Sequence, residues 1–357
     1  MKKCSSLISL ILCLILLLSS CGSYDTKDGN FVKAKPSSVG IKQEYIDDTL
    51  NAFKNTGEFA TRLDSLLILR KGKLVCEEYF GDYDENTLHS MFSVSKSFTS
   101  AAVGFAADEG KIKLEDKAIS YFDDIKFDNS EGKIQLQYRD SATIKDLLTM
   151  SSGHNKETLD LMFNKTTLNE AIKAYFDECP YTSEPGTSFF YDNGTVFVLS
   201  AIVQKVTGKT VLEYLNEKLF GKLGIEGIKW GEIFGVTLGY SGLEIKPMDM
   251  LKFGKFIMNK GTWNGEQLLS SEYITEATKY QVNNEQNVPD ENNDWKQGYG
   301  YLFWQNRLEN SFRCDGAYGQ LIVMIPDKDM VIVVTEEAED FQTVMNILYD
   351  NLINKIK

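Results

Sequence analysis

The chain has 357 residues, of which 43% are hydrophobic and 12% aromatic, enough to bury the core of one large domain or of two closely packed ones. Its formal net charge is −13 at pH 7. This balance argues against a nucleic-acid partner, because binding to phosphates relies on clustered Lys and Arg.

The first residues have the layout of an export signal. Lys2 and Lys3 precede an apolar run over 7–18, which is shorter than the roughly 20 residues that a membrane-spanning helix needs. Residues 18–21, Leu-Ser-Ser-Cys, resemble a bacterial lipobox, which implies a lipid on Cys21. We therefore expect a lipoprotein signal peptide over 1–20. The protein would be extracytoplasmic and held at the bacterial cell membrane by this lipid only; plain cleavage would instead give a secreted protein.

The polar residues that follow predict a flexible tether over 21–40 and one folded domain over 41–357. Three cysteines remain in that domain, at 76, 179 and 314, and this odd, widely spaced set is not a disulfide framework. With His89 and His154 as the only histidines, a zinc site would need unusual ligands. We expect no metal and no cofactor.

The predicted elements change in type along the chain. Apolar runs over 66–69 and 73–76 flank a Gly-containing turn and predict a β-hairpin, and two further strands are predicted over 321–325 and 330–335. Between them lie helical patterns, including 97–108, a capping box from Thr143, and 196–206; a polar stretch over 283–294 predicts a surface loop, and a last helix is predicted over 341–357. The pattern indicates an α/β (α+β) fold, with an antiparallel β-sheet flanked by helices and a mostly helical subdomain.

The first catalytic candidate is the sequence Ser-Val-Ser-Lys at 93–96. A serine hydroxyl is a weak nucleophile until a neighbouring base or positive field activates it. At the start of a helix, residues three apart lie on one face, so Lys96 can reach Ser93. The free N–H groups at that helix start suit a developing oxyanion.

A second copy of Ser-x-x-Lys occurs at Ser130 and Lys133. Its glycine and polar neighbours predict a loop, in which the i, i+3 geometry is not enforced. We therefore assign no function to this copy.

Residues 92–99, Phe-Ser-Val-Ser-Lys-Ser-Phe-Thr, resemble the nucleophile motif of the class C β-lactamase-like serine hydrolases. That family has the β-lactamase/transpeptidase-like, penicillin-recognising fold and includes DD-peptidases, D-amino-acid peptidases, esterases and 6-aminohexanoate-dimer hydrolases. Its Y-x-N motif matches residues 191–193; the other copies, at 214 and 349, lie in helical patterns. Its third motif, K-T-G or H-x-G, corresponds to Cys-Asp-Gly at 314–316.

The resemblance implies a mechanism. Ser93 would be the nucleophile, activated by Lys96 and Tyr191, and Asn193 would hold Lys96 and a substrate amide. Tyr191 beside a lysine would ionise more easily than a free phenol, and the general base is either Tyr191 or Lys96. The oxyanion would lie between the N–H groups of Ser93 and Ala317, in a substrate-binding strand that includes Asp315 and Gly316.

Several alternatives stay open at this point. Cys314 lacks the positive charge that Lys or His would offer a substrate carboxylate, which argues against penicillin recognition, although Gly316 fits a close approach to substrate. A β-lactamase, a D-alanyl-D-alanine carboxypeptidase and a non-catalytic penicillin-binding or sensor domain are the rivals; an α/β-hydrolase lacks its G-x-S-x-G elbow here. The expected substrate is a small-molecule or peptide-like ester or amide. Four aromatic residues would line its pocket or fill the core: Tyr299, Tyr301, Trp304 and Tyr318.

Overall fold

The structure of the protein is a computed structural model that describes residues 26–27, 30–56, 62–130, 132–284, 293–338 and 340–357. The predicted signal peptide and Cys21 lie outside the described residues, as does most of the predicted loop over 283–294.

The helices are α1 Gln43–Lys54, α2 Ser95–Asp108, α3 Lys133–Ser141, α4 Ile144–Leu148, α5 Leu159–Phe163, α6 Leu168–Asp177, α7 Asn193–Thr207, α8 Val211–Leu215, α9 Gly221–Leu223, α10 Pro247–Met258, α11 Ser271–Thr278 and α12 Phe341–Asn351. The strands are β1 Thr26–Lys27, β2 Asn30–Phe31, β3 Arg62–Arg70, β4 Lys73–Tyr79, β5 His89–Ser90, β6 Lys229–Trp230, β7 Glu232–Ile233, β8 Val236–Thr237, β9 Leu243–Ile245, β10 Thr262–Trp263, β11 Glu266–Gln267, β12 Trp304–Gln305, β13 Phe312–Gly316, β14 Gln320–Ile325 and β15 Met330–Glu337.

The main sheet has six strands in the order β12-β13-β14-β15-β3-β4, and every neighbouring pair is antiparallel. Strand β3, from the start of the domain, pairs with β15, from its end, so that Ile68 lies opposite Ile332. The prediction of an antiparallel sheet built from both ends of the chain, with a helical part between them, is confirmed.

Helices cover both faces of this sheet because its strands bury apolar side chains on both sides. Leu66 and Ile68 of β3 pack in a cluster with residues of α1 and α12. Leu67 and Leu69 belong to the larger cluster on the other side, which includes Phe98 of α2 and many residues of α7 and α10. The catalytic candidates lie on this second side, where the helical part meets the edge of the sheet.

The folded domain begins earlier than the predicted boundary at Ile41. Phe31 is 5% exposed, and its ring packs edge-on against Trp263 at 6.1 Å between centroids. The backbone N–H of Leu74 donates to the Val32 carbonyl at 3.0 Å, which ties this segment to β4. Residues 21–40 are mostly polar, so the sequence did not indicate that Phe31 and Val32 pack on the domain. The predicted tether therefore extends too far towards the C-terminal side.

The second Ser-x-x-Lys copy departs in part from its predicted loop. Ser130 precedes the helix, but α3 begins at Lys133, with Gly132 as its N-cap. Lys133 is exposed, unlike the buried Lys96. Within the described ranges, no single helix has the length and hydropathy to cross a membrane, although α7 and the segment Val211–Leu223 would pass together across a 63° bend.

Candidate active site

Ser93 lies in a 3-10 turn, Phe92–Val94, that leads directly into α2. Phe92 has φ 45, in the left-handed region that a bulky residue adopts only where its surroundings hold it. The Ser95 hydroxyl donates to the Phe92 carbonyl at 2.6 Å, and the Met91 N–H donates to the Leu243 carbonyl at 2.8 Å. These bonds fix the turn that presents Ser93.

Lys96, in the first turn of α2, is 1% exposed. Its Nζ donates to the Ser93 Oγ at 2.9 Å, to the Asn193 Oδ1 at 2.8 Å and to the Tyr240 carbonyl at 2.9 Å. Burial lowers the pKa of this amine from its usual value to about 7, although the charges of Glu157 and Asp192 act in the opposite direction. A substantial fraction of Lys96 is therefore neutral near pH 7 and can accept a proton from Ser93.

Tyr191 also contacts the Lys96 amine: its ring centroid lies 4.8 Å from the Lys96 Nζ. Burial raises the pKa of Tyr191 above its ordinary range; a hydrogen bond to Ser93 offsets part of this rise, and the charges of Asp315 and Glu157 add to it. The expectation that Tyr191 ionises more easily than a free phenol is therefore wrong. Desolvation of the phenolate is the largest influence on this pKa, so Tyr191 keeps its proton near pH 7.

Asn193 is the first residue of α7, and its side chain is held at both ends. Its Oδ1 accepts from Lys96, and its Nδ2 donates to the Glu157 Oε2 at 2.9 Å. Glu157 also accepts the backbone N–H groups of Asn193 at 3.1 Å and Gly194 at 3.3 Å, where the start of a long helix favours a negative charge. Glu157 thus positions Asn193, which in turn orients Lys96.

Sequence reasoning missed Glu157 and the Tyr240 carbonyl. Glu157 follows a Ser-Gly turn and belongs to no recognisable motif. A contact made by a backbone carbonyl does not depend on the residue type, so the sequence gives no signal for Tyr240. The pKa of Glu157 rises to about 7, mainly because of burial and then because of Asp192 beside it.

Gly316, at the end of β13, lies against the nucleophile turn. A Cβ at this position would lie 2.4 Å from the Met91 carbonyl oxygen and 3.2 Å from the Val94 nitrogen. The glycine is thus required by contact with the backbone that holds Ser93. This contact brings Ala317 next to Ser93.

Ser93 and Ala317 lie on the wall of a cavity of about 380 Å³. The other lining residues are mainly aromatic: Phe189, Tyr191, Asn284, Trp295, Trp304, Asp315, Gly316 and Phe341. Of the four aromatic residues considered from the sequence, only Trp304 lines this cavity. Tyr299 and Tyr301 are buried in the core, and Tyr318 lies beside a second cavity.

The third motif, residues 314–316, carries no positive charge, unlike the lysine or histidine motifs of the family. Cys314 is fully buried, and burial raises the pKa of its thiol to about 12, so it is an inert core residue. Asp315 lines the cavity and accepts a hydrogen bond from Arg313 Nε at 2.7 Å. Arg313 is fully buried, and its Nη1 donates to the Asn306 Oδ1 at 2.9 Å, so its charge is taken up by contacts with Asp315 and Asn306.

Residues 58–345 match the family model described as Beta-lactamase. The chain belongs to the β-lactamase family. It is similar to a 6-aminohexanoate-dimer hydrolase of Paenarthrobacter ureafaciens, with 23% identity over 60% of this chain and 56% of the relative. It is also similar to a D-aminopeptidase of Brucella anthropi, with 27% identity over 50% of this chain and 35% of the relative. The match thus spans just over half of one relative and about a third of the other.

Solved structures agree with this β-lactamase-type fold. The octameric penicillin-binding protein homologue from Pyrococcus abyssi superposes with a TM-score of 0.63 and 22% identity, over 88% of this chain and 77% of that chain. A proposed 6-aminohexanoate-dimer hydrolase from Bacillus anthracis gives 0.68 at 24% identity, over 91% and 86%. The resemblance drawn from the sequence is confirmed for the family and for the fold.

Proposed function

We propose that this protein cleaves an ester or amide bond through an acyl-enzyme on Ser93, with Lys96 as the general base. The observation that carries the proposal is the Lys96 Nζ, 2.9 Å from the Ser93 Oγ and with a pKa lowered to about 7 by burial. A base is most effective when its pKa lies near the working pH. Ser93 also opens on a cavity that can hold a substrate.

The bond changes follow from this arrangement. The Ser93 Oγ bonds to the substrate carbonyl carbon while its proton moves to the neutral Lys96 Nζ. The oxyanion lies between the N–H groups of Ser93 and Ala317, and each such donor is typically worth about 10²–10³ in turnover. The C–O or C–N bond then breaks, and the leaving group takes the proton from Lys96, while Tyr191 keeps its proton and can donate a hydrogen bond to the departing atom. Water attacks the acyl-enzyme, and Lys96 accepts the water proton and returns it to Ser93.

We propose that the acyl side of the substrate is apolar and carries no carboxylate. Among the described residues, five aromatic side chains line the cavity, and the charged residue in its wall is Asp315, which is paired with Arg313. A carboxylate buried there without a cation would cost several kcal/mol. This disfavours a β-lactamase or a D-alanyl-D-alanine carboxypeptidase. The two relatives named above carry names of amide-cleaving enzymes, which supports an amide as the bond that is cleaved.

A non-catalytic penicillin-binding or sensor domain is the rival from another class. It would not need Lys96 buried at hydrogen-bonding distance from Ser93, since a buried amine is costly to maintain. The intact contacts of Lys96 with Ser93, Asn193 and Tyr240 therefore favour an enzyme.

Replacing Ser93 with alanine removes the nucleophile and should lower the kcat for p-nitrophenyl butyrate by about 10⁴-fold or more. The other Ser-x-x-Lys copy provides a matched control, because Ser130→Ala deletes a hydroxyl from the same pattern without a cavity. We expect Ser130→Ala to retain wild-type turnover. A fluorophosphonate should add mass to the peptide containing Ser93 in both the wild type and Ser130→Ala. Unchanged turnover in folded Ser93→Ala would refute the proposal.

The substrate class is tested by two esters of similar size. We expect p-nitrophenyl butyrate to exceed p-nitrophenyl hydrogen succinate in kcat/KM by about tenfold or more, because only the second must bury a carboxylate. The ratio of the two kcat/KM values is the measurement. Equal values, or faster hydrolysis of the β-lactam nitrocefin, would mean that the cavity accepts carboxylates and would favour the β-lactamase alternative.

We also propose lipid attachment at Cys21, with an extracytoplasmic location at the membrane. The support is the basic start, the apolar run over 7–18 and the cysteine after small residues. Cys21 precedes Phe31, a buried residue of the domain.

In a bacterial host, radiolabelled palmitate should be incorporated into the wild type and not into Cys21→Ser. Cys76→Ser, which changes a buried core thiol, is the control and should keep the label. Equal labelling of Cys21→Ser and wild type would contradict lipid attachment at Cys21.

A further inference from the structure

A second cavity, of about 450 Å³, lies beside the catalytic one. Phe92 and Tyr318 line it and pack edge-on at 5.1 Å between ring centroids, and we call this pair the ridge. Each ridge residue adjoins one of the proposed oxyanion donors, Ser93 and Ala317. The full lining is Arg62, Asp64, Tyr83, Leu88, His89, Ser90, Phe92, Tyr318, Gln320, Glu336 and Glu337.

Glu336, on β15, is the unusual member of this lining. It is 2% exposed, and neither carboxylate oxygen has a hydrogen-bond partner among the residues that the structure describes. Burial raises its pKa well above the ordinary range, and the charge of Asp64 acts in the same direction. A buried carboxyl group without partners is costly, so its presence calls for a compensating ligand or role.

Gly319 places the carboxyl group at the ridge. A Cβ on Gly319 would lie 2.2 Å from the Glu336 Oε1, and Gly319 has φ 83, a conformation that favours glycine. Any larger residue at 319 would displace Glu336 from the cavity wall. The glycine at 319 therefore leaves space for the Glu336 carboxyl group beside the ridge.

The neighbouring charges leave Glu336 without a counter-ion. Arg62 Nε lies 3.3 Å from Asp64, and its Nη2 lies 3.0 Å from Glu337. Burial lowers the pKa of His89 to about 4, so this ring is neutral near pH 7. Among the described lining residues, one cation thus faces three carboxyl groups.

The cavity suits an organic cation better than a metal ion. In the described parts of the chain, no three His, Cys, Asp or Glu side chains are grouped so that they could hold a metal. The rings of Phe92 and Tyr318 instead border the cavity, and aromatic rings attract ammonium groups. The volume is sufficient for a small alkyl chain.

We infer that this second cavity binds a primary alkylammonium group, with Glu336 as its counter-ion. The carboxyl group gives up its proton on binding and forms a charge-assisted hydrogen bond with the ammonium. The inference does not depend on the hydrolytic activity, because binding is measured without turnover. An amine bound here would contact Phe92 and Tyr318, which are the sequence neighbours of Ser93 and Ala317.

Isothermal titration of the wild-type protein with n-butylammonium chloride tests this inference at about pH 8.5, where ionisation of Glu336 costs less. We expect saturable one-to-one binding, and none with n-butanol at the same ionic strength. Glu336→Gln keeps the shape and removes the charge, and it should weaken binding at least tenfold. Glu78→Gln removes an exposed charge from β4 of the same sheet and should leave the affinity within twofold.

Circular dichroism establishes that each variant is folded. If Glu336→Gln does not fold, the comparison of butylammonium with butanol on the wild type still decides whether a cation site exists. Equal binding of the two ligands, or the same butylammonium affinity in folded Glu336→Gln as in the wild type, would overturn the inference.

Discussion

The proposed hydrolysis depends on the burial of the Lys96 amine at the start of α2. Lys96 is withdrawn from water beside Ser93, and desolvation lowers its pKa towards 7. The same burial raises the pKa of Tyr191, so it favours the neutral form of both groups. In the proposed mechanism, the neutral Lys96 amine therefore takes the proton of Ser93, and the Tyr191 phenol keeps its own.

The fold maintains this arrangement by contacts between distant segments. Asn193 at the start of α7 accepts from Lys96 and is itself held by Glu157. Gly316 at the end of β13 allows the sheet edge to approach the turn that carries Ser93. Each segment is anchored in the same apolar cluster, so the helical part and the sheet cannot separate without breaking the site.

Much of this could be predicted from the sequence where the determining interactions are local. The pair Ser93 and Lys96 follows from helix geometry, the capping box from Thr143 is present, and the strands at both ends of the chain pair as expected. The extent to which each catalytic side chain is buried could not be predicted from the sequence in the same way. The raised pKa of Tyr191 depends on desolvation by residues far along the chain.

Contacts without a motif were also beyond sequence reasoning. Glu157 contacts Asn193 across 36 positions, and the Tyr240 carbonyl contacts Lys96 across 144. Phe31 lies in a mostly polar segment with few apolar residues, so the sequence predicts too late a beginning for the domain. Glu336 looks like any acidic residue near the end of a strand until its buried, unpartnered carboxyl group is seen beside Gly319.

The titration of the Lys96 Nζ tests the central claim most directly. It can be followed by NMR of protein labelled with ¹⁵N at the lysine Nζ, with the signal assigned by its loss in Lys96→Met. We predict a midpoint near pH 7. Because the charge of Glu157 raises the pKa of Lys96, Glu157→Gln should move this midpoint to lower pH. A midpoint near the ordinary lysine value of 10.5 in the folded wild type would contradict the account.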